Sequence, residues 1–298
     1  MKIKQLDIAG FRSLKNVSWQ PGDLNVVIGQ NGTGKSNLLR MLELIAASAQ
    51  GQLSKYIQVS GGMTAIRWDG VAKIVSFTLR TNTFDEEHFD YEDSYELAVG
   101  GNTEPDIREE KWNWRHTSPD REEEEKESII ERGYVKTVYL GQAINSTQKI
   151  SRQETLLSLF NQLTATPRVR THIETKDFRQ QLAELRVYQD LNVGQDSKIR
   201  QAVVASYEKQ VESNGQNLVQ VLHTLYAEDR EFKRNIDLAM RAAFGSDYEE
   251  LVFPPAADQR VQLRVRWKTL KRAQSAADLS DGTLRFLLLM TVLSRVNS

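Results

Sequence analysis

The chain has 298 residues, of which 40% are hydrophobic and 27% charged, enough for one large or two ordinary domains with a sizeable core. A formal net charge of −1 does not indicate nucleic-acid binding by the chain as a whole, and the lack of cysteine excludes disulfides and thiolate metal sites. The start lacks the apolar core of a signal peptide, and the longest nearly apolar run, 286–293, is far shorter than the ~18 residues of a membrane span. We therefore expect a cytoplasmic protein with no membrane segment.

The first fifty residues predict strands, a loop and a helix. Residues 2–9 alternate between polar and apolar side chains and predict an edge strand, and 17–19 predict a second short strand. Residues 24–28 form a short apolar run rich in β-branched side chains, which predicts a buried strand. Residues 37–47 carry leucines and Met41 at helical spacing. A glycine-rich stretch lies between this strand and this helix.

That stretch, Gly29-Gln30-Asn31-Gly32-Thr33-Gly34-Lys35-Ser36, has the spacing G-x-x-x-x-G-K-[ST] of a P-loop. The glycines let successive backbone N–H groups point at phosphate oxygens, and the following helix adds the positive end of its dipole. Lys35 is expected to reach the β- and γ-phosphates of a nucleotide, and the Ser36 hydroxyl to bind Mg²⁺. The alternative is a turn with a chance Gly-Lys-Ser, and the flanking strand and helix disfavour it.

The middle of the chain changes from strand-like to helical patterns. Residues 56–140 predict a β-rich segment with short strands that include 65–68 and a last, buried strand over 134–140. Within it, the polar stretch 103–131 predicts an acidic loop. Its charged run 122–127 predicts a solvated loop or the outer face of a short helix, with an electrostatic docking surface as the lesser option. From residue 153 onward the apolar residues recur at helical spacing. The later predicted elements are helices over 217–226 and 232–244 and strands near 250–253 and 259–267.

A second motif, Leu279-Ser280-Asp281-Gly282-Thr283-Leu284-Arg285, precedes an apolar helix predicted over 286–296. Alone it indicates a helix cap. Ser280 or Asp281 would accept hydrogen bonds from the first free N–H groups, and Gly282 would permit a tight entry into the helix.

Together the two motifs make the chain resemble the head of an ABC-type ATPase of the SMC/RecF/OLD-like group, in the branch often labelled AAA family ATPases. The resemblance is carried by residues 8–13, 29–39, 214–218 and 279–287. It implies an α/β fold, a P-loop NTPase with a mixed β-sheet lobe that includes a β-rich insertion and a helical lobe that carries the signature motif. The implied segments of this one head are 1–50 with the P-loop and first helix, 51–145 with the β-rich part and its acidic loop at 103–131, 146–248 as the helical lobe, and 249–298 with strands, signature and signature helix.

In that group two heads form a sandwich around two ATP molecules, and the signature of one head caps the γ-phosphate held by the P-loop of the other. The resemblance therefore implies ATP and Mg²⁺ as cofactors and a homodimer in which Ser280 and Gly282 act in trans. It also implies two candidates, Gln142 and Gln153, for the group's metal- and water-sensing glutamine. The residues implied to bind the nucleotide in cis are Arg12, Asn31, Gly32, Thr33, Gly34, Lys35, Ser36 and Asn37, with Ser36 as the Mg²⁺ ligand.

The chain departs from the group's pattern at its end. Hydrolysis in the group needs a Walker B strand, four apolar residues and then Asp-Glu, downstream of the signature helix. The sequence ends at Ser298, before that point, as a truncated or a naturally shortened head would. We therefore assign no catalytic Asp or Glu, and expect this chain alone to bind ATP without efficient turnover.

Three functions agree with these motifs. The first is an ATPase head that dimerises on ATP and drives a nuclease or other effector in DNA repair, chromosome organisation or anti-phage defence. The second is an interaction module that binds nucleotide without hydrolysing it. The third is the ATPase subunit of a membrane transporter, which the β-rich segment and the opening Phe11-Arg12-Ser13 disfavour. A Ras-like GTPase is disfavoured because the chain lacks an Asn-Lys-x-Asp motif.

Direct contact with DNA stays open at this stage. One modestly basic stretch contains Arg168, Arg170, Lys176 and Arg179, and another contains Arg264, Arg266, Lys268, Lys271 and Arg272. Solvated faces are the alternative for both. Binding to DNA through either stretch would weaken steeply with added salt.

Overall fold

The computed structural model describes residues 1–84, 90–117, 125–132, 137–139, 142–143, 151–159, 177–189 and 191–294. The chain divides into two compact units, Met1–Val187 and Tyr188–Ser298. The division falls within the segment 146–248 that we expected to form a single helical lobe.

The first unit is built on an eight-stranded sheet in the order β2-β1-β3-β4-β5-β6-β7-β8, with every described pair antiparallel. Its strands are β1 Lys2–Phe11, β2 Leu14–Trp19, β3 Val75–Phe84, β4 Asp90–Gly100, β5 Asp106–Thr117, β6 Glu125–Arg132, β7 Thr137–Tyr139 and β8 Gln142–Ala143. The prediction of an edge strand at 2–9 was wrong, because β1 lies between β2 and β3. Alternation records which face of a strand is buried, and it does not record which edges are paired.

The helices that share a hydrophobic core with this sheet include α1 Lys35–Gln50, α2 Leu53–Val59 and α3 Gly62–Ile66, and the helical residues 177–183 add Phe178 and Leu182 to that core. The sheet contributes alternate residues such as Leu6 and Phe77, and α1 contributes Met41 and Leu44. The strand predicted at 65–68 was wrong. Met63 and Ile66, three residues apart, are buried on one side of α3 instead, which is a helical and not a strand spacing.

The polar stretch 103–131 is largely strand, so the prediction of an acidic loop over these residues was wrong. It contains β5 and most of β6, and only 118–124, with most of the acidic run, lies outside the described residues. A sheet with one solvated face carries polar residues at every second position, and the polar composition hid the strands for this reason. Residues 137–139 confirm the strand expected near 134–140.

The second unit combines three helices, α4 Leu218–Glu228, α5 Arg230–Phe244 and α6 Asp281–Leu293, with two small antiparallel sheets. The first sheet has the order β10-β13-β14, formed by Tyr248–Val252, Arg264–Trp267 and Gln274–Ser275. The second has the order β11-β12-β9, formed by Pro255–Ala256, Arg260–Val261 and Val203–Val204. The helices predicted over 217–226 and 232–244 and the strand near 250–253 are confirmed to within two residues. The helix predicted over 286–296 is present as α6 but begins five residues earlier, at Asp281, and 295–296 lie outside the described residues.

Local signals explain these boundaries. The Asp229 side chain accepts hydrogen bonds from the N–H groups of Glu231 (3.0 Å) and Phe232 (2.9 Å) at the start of α5, and Gly245 ends that helix at φ 83°. In the part of the chain that the structure describes, no helix combines the length and apolarity that a membrane span requires.

Candidate nucleotide-binding site

The segment 24–28, which enters the glycine-rich loop, is not a strand. Leu24, Val26 and Ile28 are 86%, 79% and 86% exposed, and the segment pairs with none of the described strands. The prediction of a buried strand was therefore wrong. A strand forms only where a neighbour supplies backbone partners, and an apolar sequence cannot supply that neighbour by itself.

The loop at 29–36 uses glycine where the backbone requires it. Gly32 and Gly34 have φ of 86° and 96°, in the left-handed region that disfavours other residues. At Gly34 a Cβ atom would also lie 2.7 Å from Ser13 Oγ and 3.1 Å from a methyl group of Leu14. Gly34 is therefore required both by its conformation and by the close approach of the turn between β1 and β2.

The ammonium group of Lys35 lies at the centre of this loop. Lys35 Nζ donates to the carbonyl oxygens of Gly29 (2.7 Å) and Gln30 (2.6 Å) and lies 3.5 Å from Thr33 Oγ1. Thr33 Oγ1 in turn donates to the Gln30 carbonyl at 2.9 Å. The loop thus curls around a positive charge.

The N-terminus of α1 adds donors on the same loop. Among the described residues no side chain caps it, and its first turn contains no acidic residue. The Asn37 and Leu38 N–H groups bond to the Gly34 carbonyl at 2.9 and 3.2 Å. Ser36 lies exposed one residue into the helix and Asn31 is exposed in the loop. An uncapped helix start of this kind favours an anion.

Arg12 brings a further cation to this end of α1. Its Nη2 lies 3.5 Å from the Ser60 carbonyl, and its buried Nε has no hydrogen-bond partner among the described residues. Burial, together with the positive charge of Arg40, lowers the pKa of Arg12. The next residue, Ser13, accepts a hydrogen bond from Asn37 Nδ2 at 2.8 Å. An unpaired buried donor, left-handed glycines and a central ammonium fit the phosphates of a nucleotide.

The two candidate glutamines are placed differently. The Gln153 carbonyl accepts from Ser54 Oγ at 3.2 Å, and its Nε2 donates to Glu104. Ser54 follows the C-terminal end of α1, and the 16 residues of α1 span about 24 Å. The structure therefore does not bring Gln153 to the loop. Gln142 lies in β8, paired with Tyr139, and its role stays a prediction.

A buried ion pair, which the sequence did not reveal, holds the loop that carries Gln153. Glu110 is fully buried, lies 3.9 Å from Arg132 Nε, and accepts from the N–H groups of Leu156 (2.7 Å) and Leu157 (3.0 Å). Residues 151–159 consequently form turns, where we expected helical structure from residue 153. Burial raises the pKa of Glu110, and the neighbouring Arg132 opposes that rise.

Glu110→Ala is expected to lower the free energy of unfolding by about 3 kcal/mol, because it leaves Arg132 charged and buried without its partner and frees two buried N–H groups. Urea unfolding followed by circular dichroism measures the change. Glu109→Ala is the matched control, since the neighbouring carboxylate is exposed. Equal effects of the two substitutions would contradict the assigned role of Glu110.

In the second unit, the signature motif forms the start of α6. Ser280 is its N-cap, and Ser280 Oγ accepts from the Thr283 N–H at 3.1 Å and lies 2.8 Å from Thr283 Oγ1. A Cβ atom added at Gly282 would meet only Ser280 Oγ, at 3.7 Å. The helix cap that the sequence indicated is present, and the N-terminus beside Gly282 is open.

Arg200, which sequence reasoning missed, organises this helix start from within the second unit. The guanidinium is buried, and Nη1 donates to the carbonyl oxygens of Ala276 (3.1 Å), Ala277 (3.0 Å) and Leu279 (2.7 Å). Its Nη2 pairs with Asp281 Oδ1 at 2.6 Å. Arg200 therefore fixes the loop before the signature helix and offsets a negative charge at its N-terminus. These acceptors lie 76 to 81 positions away, so no local sequence pattern indicates the contact.

The family of the chain follows from its similarity to known proteins. A family model described as the AAA ATPase domain matches residues 1–275. The chain belongs to this family. The expected resemblance to SMC and RecF proteins is confirmed, and with it the fold class of a P-loop NTPase with mixed helices and strands.

Over shorter stretches, this AAA ATPase domain is similar in sequence to two curated proteins. Structural maintenance of chromosomes protein 3 from Caenorhabditis elegans is 41% identical over 58 residues, 18% of this chain and 5% of that protein. DNA replication and repair protein RecF from Citrifermentans bemidjiense is 47% identical over 47 residues, 15% of this chain and 13% of that protein. The matched regions thus span only a small part of either relative.

Two solved structures overlap with 99% of this AAA ATPase domain at 14% sequence identity. One is the Smc head bound to the C-winged helix domain of ScpA, of which 76% is covered, with a TM-score of 0.49. The other is the recombination mediator protein RecF of the RecFOR pathway, of which 80% is covered, with a TM-score of 0.39.

Proposed function

We propose that this AAA ATPase domain is an ATP-binding head that dimerises around Mg-ATP, with the signature helix of each copy capping the nucleotide held by the other. The observation that carries the proposal is the loop at 29–36. There the left-handed glycines, the central Lys35 ammonium and the uncapped N-terminus of α1 all favour an anion. Membership of an ATPase family agrees with this chemistry.

The proposal assigns binding roles to Lys35, Ser36 and the backbone N–H groups of the loop. Lys35 and the loop N–H groups bind the β- and γ-phosphates, and Arg12 supplies its unpaired Nε. The hydroxyl of Ser36, exposed one residue into α1, would hold Mg²⁺ together with the phosphates themselves. Mg²⁺ would offset the phosphate charge. Ser280 and Gly282 of the second copy then present another helix N-terminus to the γ-phosphate.

Ser280→Arg is expected to leave ATP binding by the monomer intact and to block the ATP-dependent dimer. The long arginine side chain would occupy the space at the start of the signature helix that the γ-phosphate of the other copy needs. Light scattering with and without Mg-ATP measures the mass, which should double for the natural chain and stay unchanged for Ser280→Arg. Ser280→Ala is the matched control. It loses the N-cap, at a cost of about 1 kcal/mol, without adding bulk, and should still dimerise. A dimer formed by Ser280→Arg would overturn the sandwich.

The second candidate function is a module that binds nucleotide without hydrolysing it. The described neighbours of the loop favour it, since the residues that contact Gly34, Lys35 and Asn37 offer hydroxyl, carbonyl and guanidinium groups and no carboxylate. A measurement of phosphate release by the Mg-ATP dimer distinguishes the two candidate functions. Release that Lys35→Ala abolishes supports the ATPase, whereas dimerisation without release supports the module.

For the effector we propose a DNA-related process, because the matched curated relatives are named for chromosome maintenance and for DNA replication and repair. A nuclease or another partner protein, an anti-phage role and a cytoplasmic location belong to the same proposal. Pull-down from a cytoplasmic fraction with Mg-ATP, compared with Ser280→Arg, tests whether the dimer recruits a partner that the monomer does not.

A further inference from the structure

The second unit contains a basic cleft that the ATP site does not use. The cleft has a volume of about 720 Å³, and its lining includes five basic residues and one acidic residue, Glu249. The five cations are Arg264, Arg266, Lys268, Lys271 and Arg272. Like charges gathered in a concave surface focus a positive potential, so the cleft attracts negative charge although the formal net charge of the chain is −1.

One face of the sheet β10-β13-β14 contributes the first two cations to the cleft. Val265 is fully buried, so its neighbours Arg264 and Arg266 in β13 point to the opposite face. Their cross-strand partners in β10, Val252 and Glu250, share that face. Side chains two positions apart on a strand are about 7 Å apart. Carboxylates at alternate positions of an extended peptide have the same spacing as these two arginines.

The aromatic residues of this region belong to the core and not to the face that carries the arginines. Trp267 lies on the same side of β13 as Val265, and its ring packs edge-to-face against Phe244 and Tyr248, with centroids 6.0 and 6.1 Å apart. Phe253 packs against the same core cluster. Among the described residues, the cation-bearing face therefore offers a nucleobase no aromatic surface for stacking.

The apolar surface beside the cations is aliphatic. Leu270, in the loop between β13 and β14, lines the cleft and is 49% exposed. Val252 also lines it, directly across the strand pair from Arg264, and is half-buried. Covering such side chains is favourable only with an apolar group. The ligand that suits this cleft therefore carries negative charges and an apolar group together.

The other three cations lie on the loop that connects β13 to β14, and this loop is anchored. The Lys268 N–H donates to the Asp247 carbonyl at 2.8 Å, and the Leu270 N–H donates to the Trp267 carbonyl at 3.2 Å. Thr269 donates twice to the Asp247 carboxylate, each at 2.9 Å. The basic side chains and Leu270 therefore project from a backbone that is already ordered, which lowers the entropic cost of binding a ligand.

The charges of the cleft are largely uncompensated. Arg264 is held by the neutral amide of Gln262, with Nε and Nη2 both donating to Oε1 at 2.9 and 2.8 Å. Arg266 approaches the Glu250 carboxylate at 3.7 Å. The three cations of the loop are exposed and form no ion pair with any residue that the structure describes. Four of the five cations are thus available to a ligand.

We propose that this cleft docks an extended acidic segment of a partner protein, with carboxylates on the cations and an apolar side chain against Val252 and Leu270. Complementary charge steers such a segment to the cleft, and the aliphatic contact selects among acidic segments. A single-stranded nucleic acid would need aromatic surfaces for its bases. The proposal goes beyond the ATP-binding function, because every residue that lines the cleft lies in the second unit and docking requires no nucleotide.

Fluorescence anisotropy without nucleotide tests the proposal. The probe is a labelled heptapeptide with a central leucine and an aspartate or glutamate at every other position. The triple variant Lys268→Glu, Lys271→Glu, Arg272→Glu should bind it at least about 10-fold more weakly, because repulsion replaces attraction at three positions. The matched control reverses three exposed arginines of α5, Arg230, Arg234 and Arg241. It has the same charge change and should retain most of the affinity.

A second pair of variants tests the aliphatic contact. Leu270→Ser should weaken binding of the leucine peptide by about 5-fold, since part of an apolar side chain is no longer covered. Leu238→Ser on α5 is the matched control, because Leu238 is 56% exposed and lies outside the cleft lining. A peptide with serine in place of the leucine should bind the natural chain more weakly. Leu270→Ser should change that affinity little, because the contact is already lost.

Four outcomes would overturn the proposal. They are no saturable binding of the leucine peptide below about 1 mM, equal losses in the cleft variant and the α5 control, equal affinities for the leucine and serine peptides, and displacement of the peptide by a single-stranded oligonucleotide of the same net charge at lower concentration than by unlabelled peptide. The last would assign the cleft to nucleic acid. Lys35→Ala should leave peptide binding unchanged, so a failure of the ATP-site proposal is distinguishable from a failure of this one.

Discussion

Lys35→Ala is expected to weaken Mg-ATP binding by about 100-fold or more, which corresponds to roughly 2.7 kcal/mol. Lys35 Nζ lies at the centre of the loop, within 2.7 Å of two carbonyl oxygens, and it is the cation that would offset the charge of the β- and γ-phosphates. Without it, the phosphates would lie near the Gly29 and Gln30 carbonyl oxygens with no ammonium group between them. Calorimetric titration with Mg-ATP gives the affinity directly.

Lys55→Ala is the matched control for this prediction, because Lys55 is an exposed lysine on α2 and its loss changes the charge equally. The thermal midpoint without nucleotide should be similar for both variants, which shows that the fold survives. Tight ATP binding by Lys35→Ala would show that the nucleotide does not bind at this loop, and it would contradict the proposed head function.

Arg200→Ala is expected to lower the free energy of unfolding of the second unit by about 4 kcal/mol. The substitution leaves the carbonyl groups of Ala276 and Leu279 buried without donors and Asp281 without its counter-ion. The start of the signature helix should loosen, so the ATP-dependent dimer should weaken as well. Urea unfolding and light scattering with Mg-ATP measure the two effects.

Two further variants divide the contributions of Arg200. Asp281→Asn removes the ion pair alone and should cost less than about 1 kcal/mol, because Asp281 is 59% exposed and water screens the pair. Arg241→Ala, an exposed arginine of α5, should change little. If Arg200→Ala costs no more than Asp281→Asn, the carbonyl contacts do not hold the signature loop as the geometry indicates.

The sequence predicted those parts of the site that short stretches of chain determine. Gly34, Lys35 and the start of α1 are adjacent, and so are Ser280, Gly282 and the start of α6. Their spacing records a backbone conformation or a cap that needs no distant partner. For the same reason the helix predicted over 232–244 agrees with α5, Arg230–Phe244, to within two residues.

The parts that sequence reasoning missed depend on distant residues. Arg200 and Glu110 were ordinary charged positions until the fold placed carbonyl or N–H groups around them from residues 46 to 79 positions away. Residues 24–28 show the opposite error. Their composition suits a strand, but among the described strands none lies beside them. Composition records the preference of a segment, whereas its state depends on which neighbours are present.

The exposed apolar segment at 24–28 also has a consequence for solubility. Leu24, Val26 and Ile28 are exposed in a segment that lies outside any described strand pair, and exposed apolar residues with unpaired backbone groups favour β-pairing with another chain. Concentrated solutions should therefore aggregate slowly even without nucleotide. Aggregates of this kind keep growing with time and protein concentration, whereas a nucleotide-linked dimer saturates at two copies. A lysine in place of Val26, whose charge opposes edge pairing, should lengthen the lag before turbidity appears.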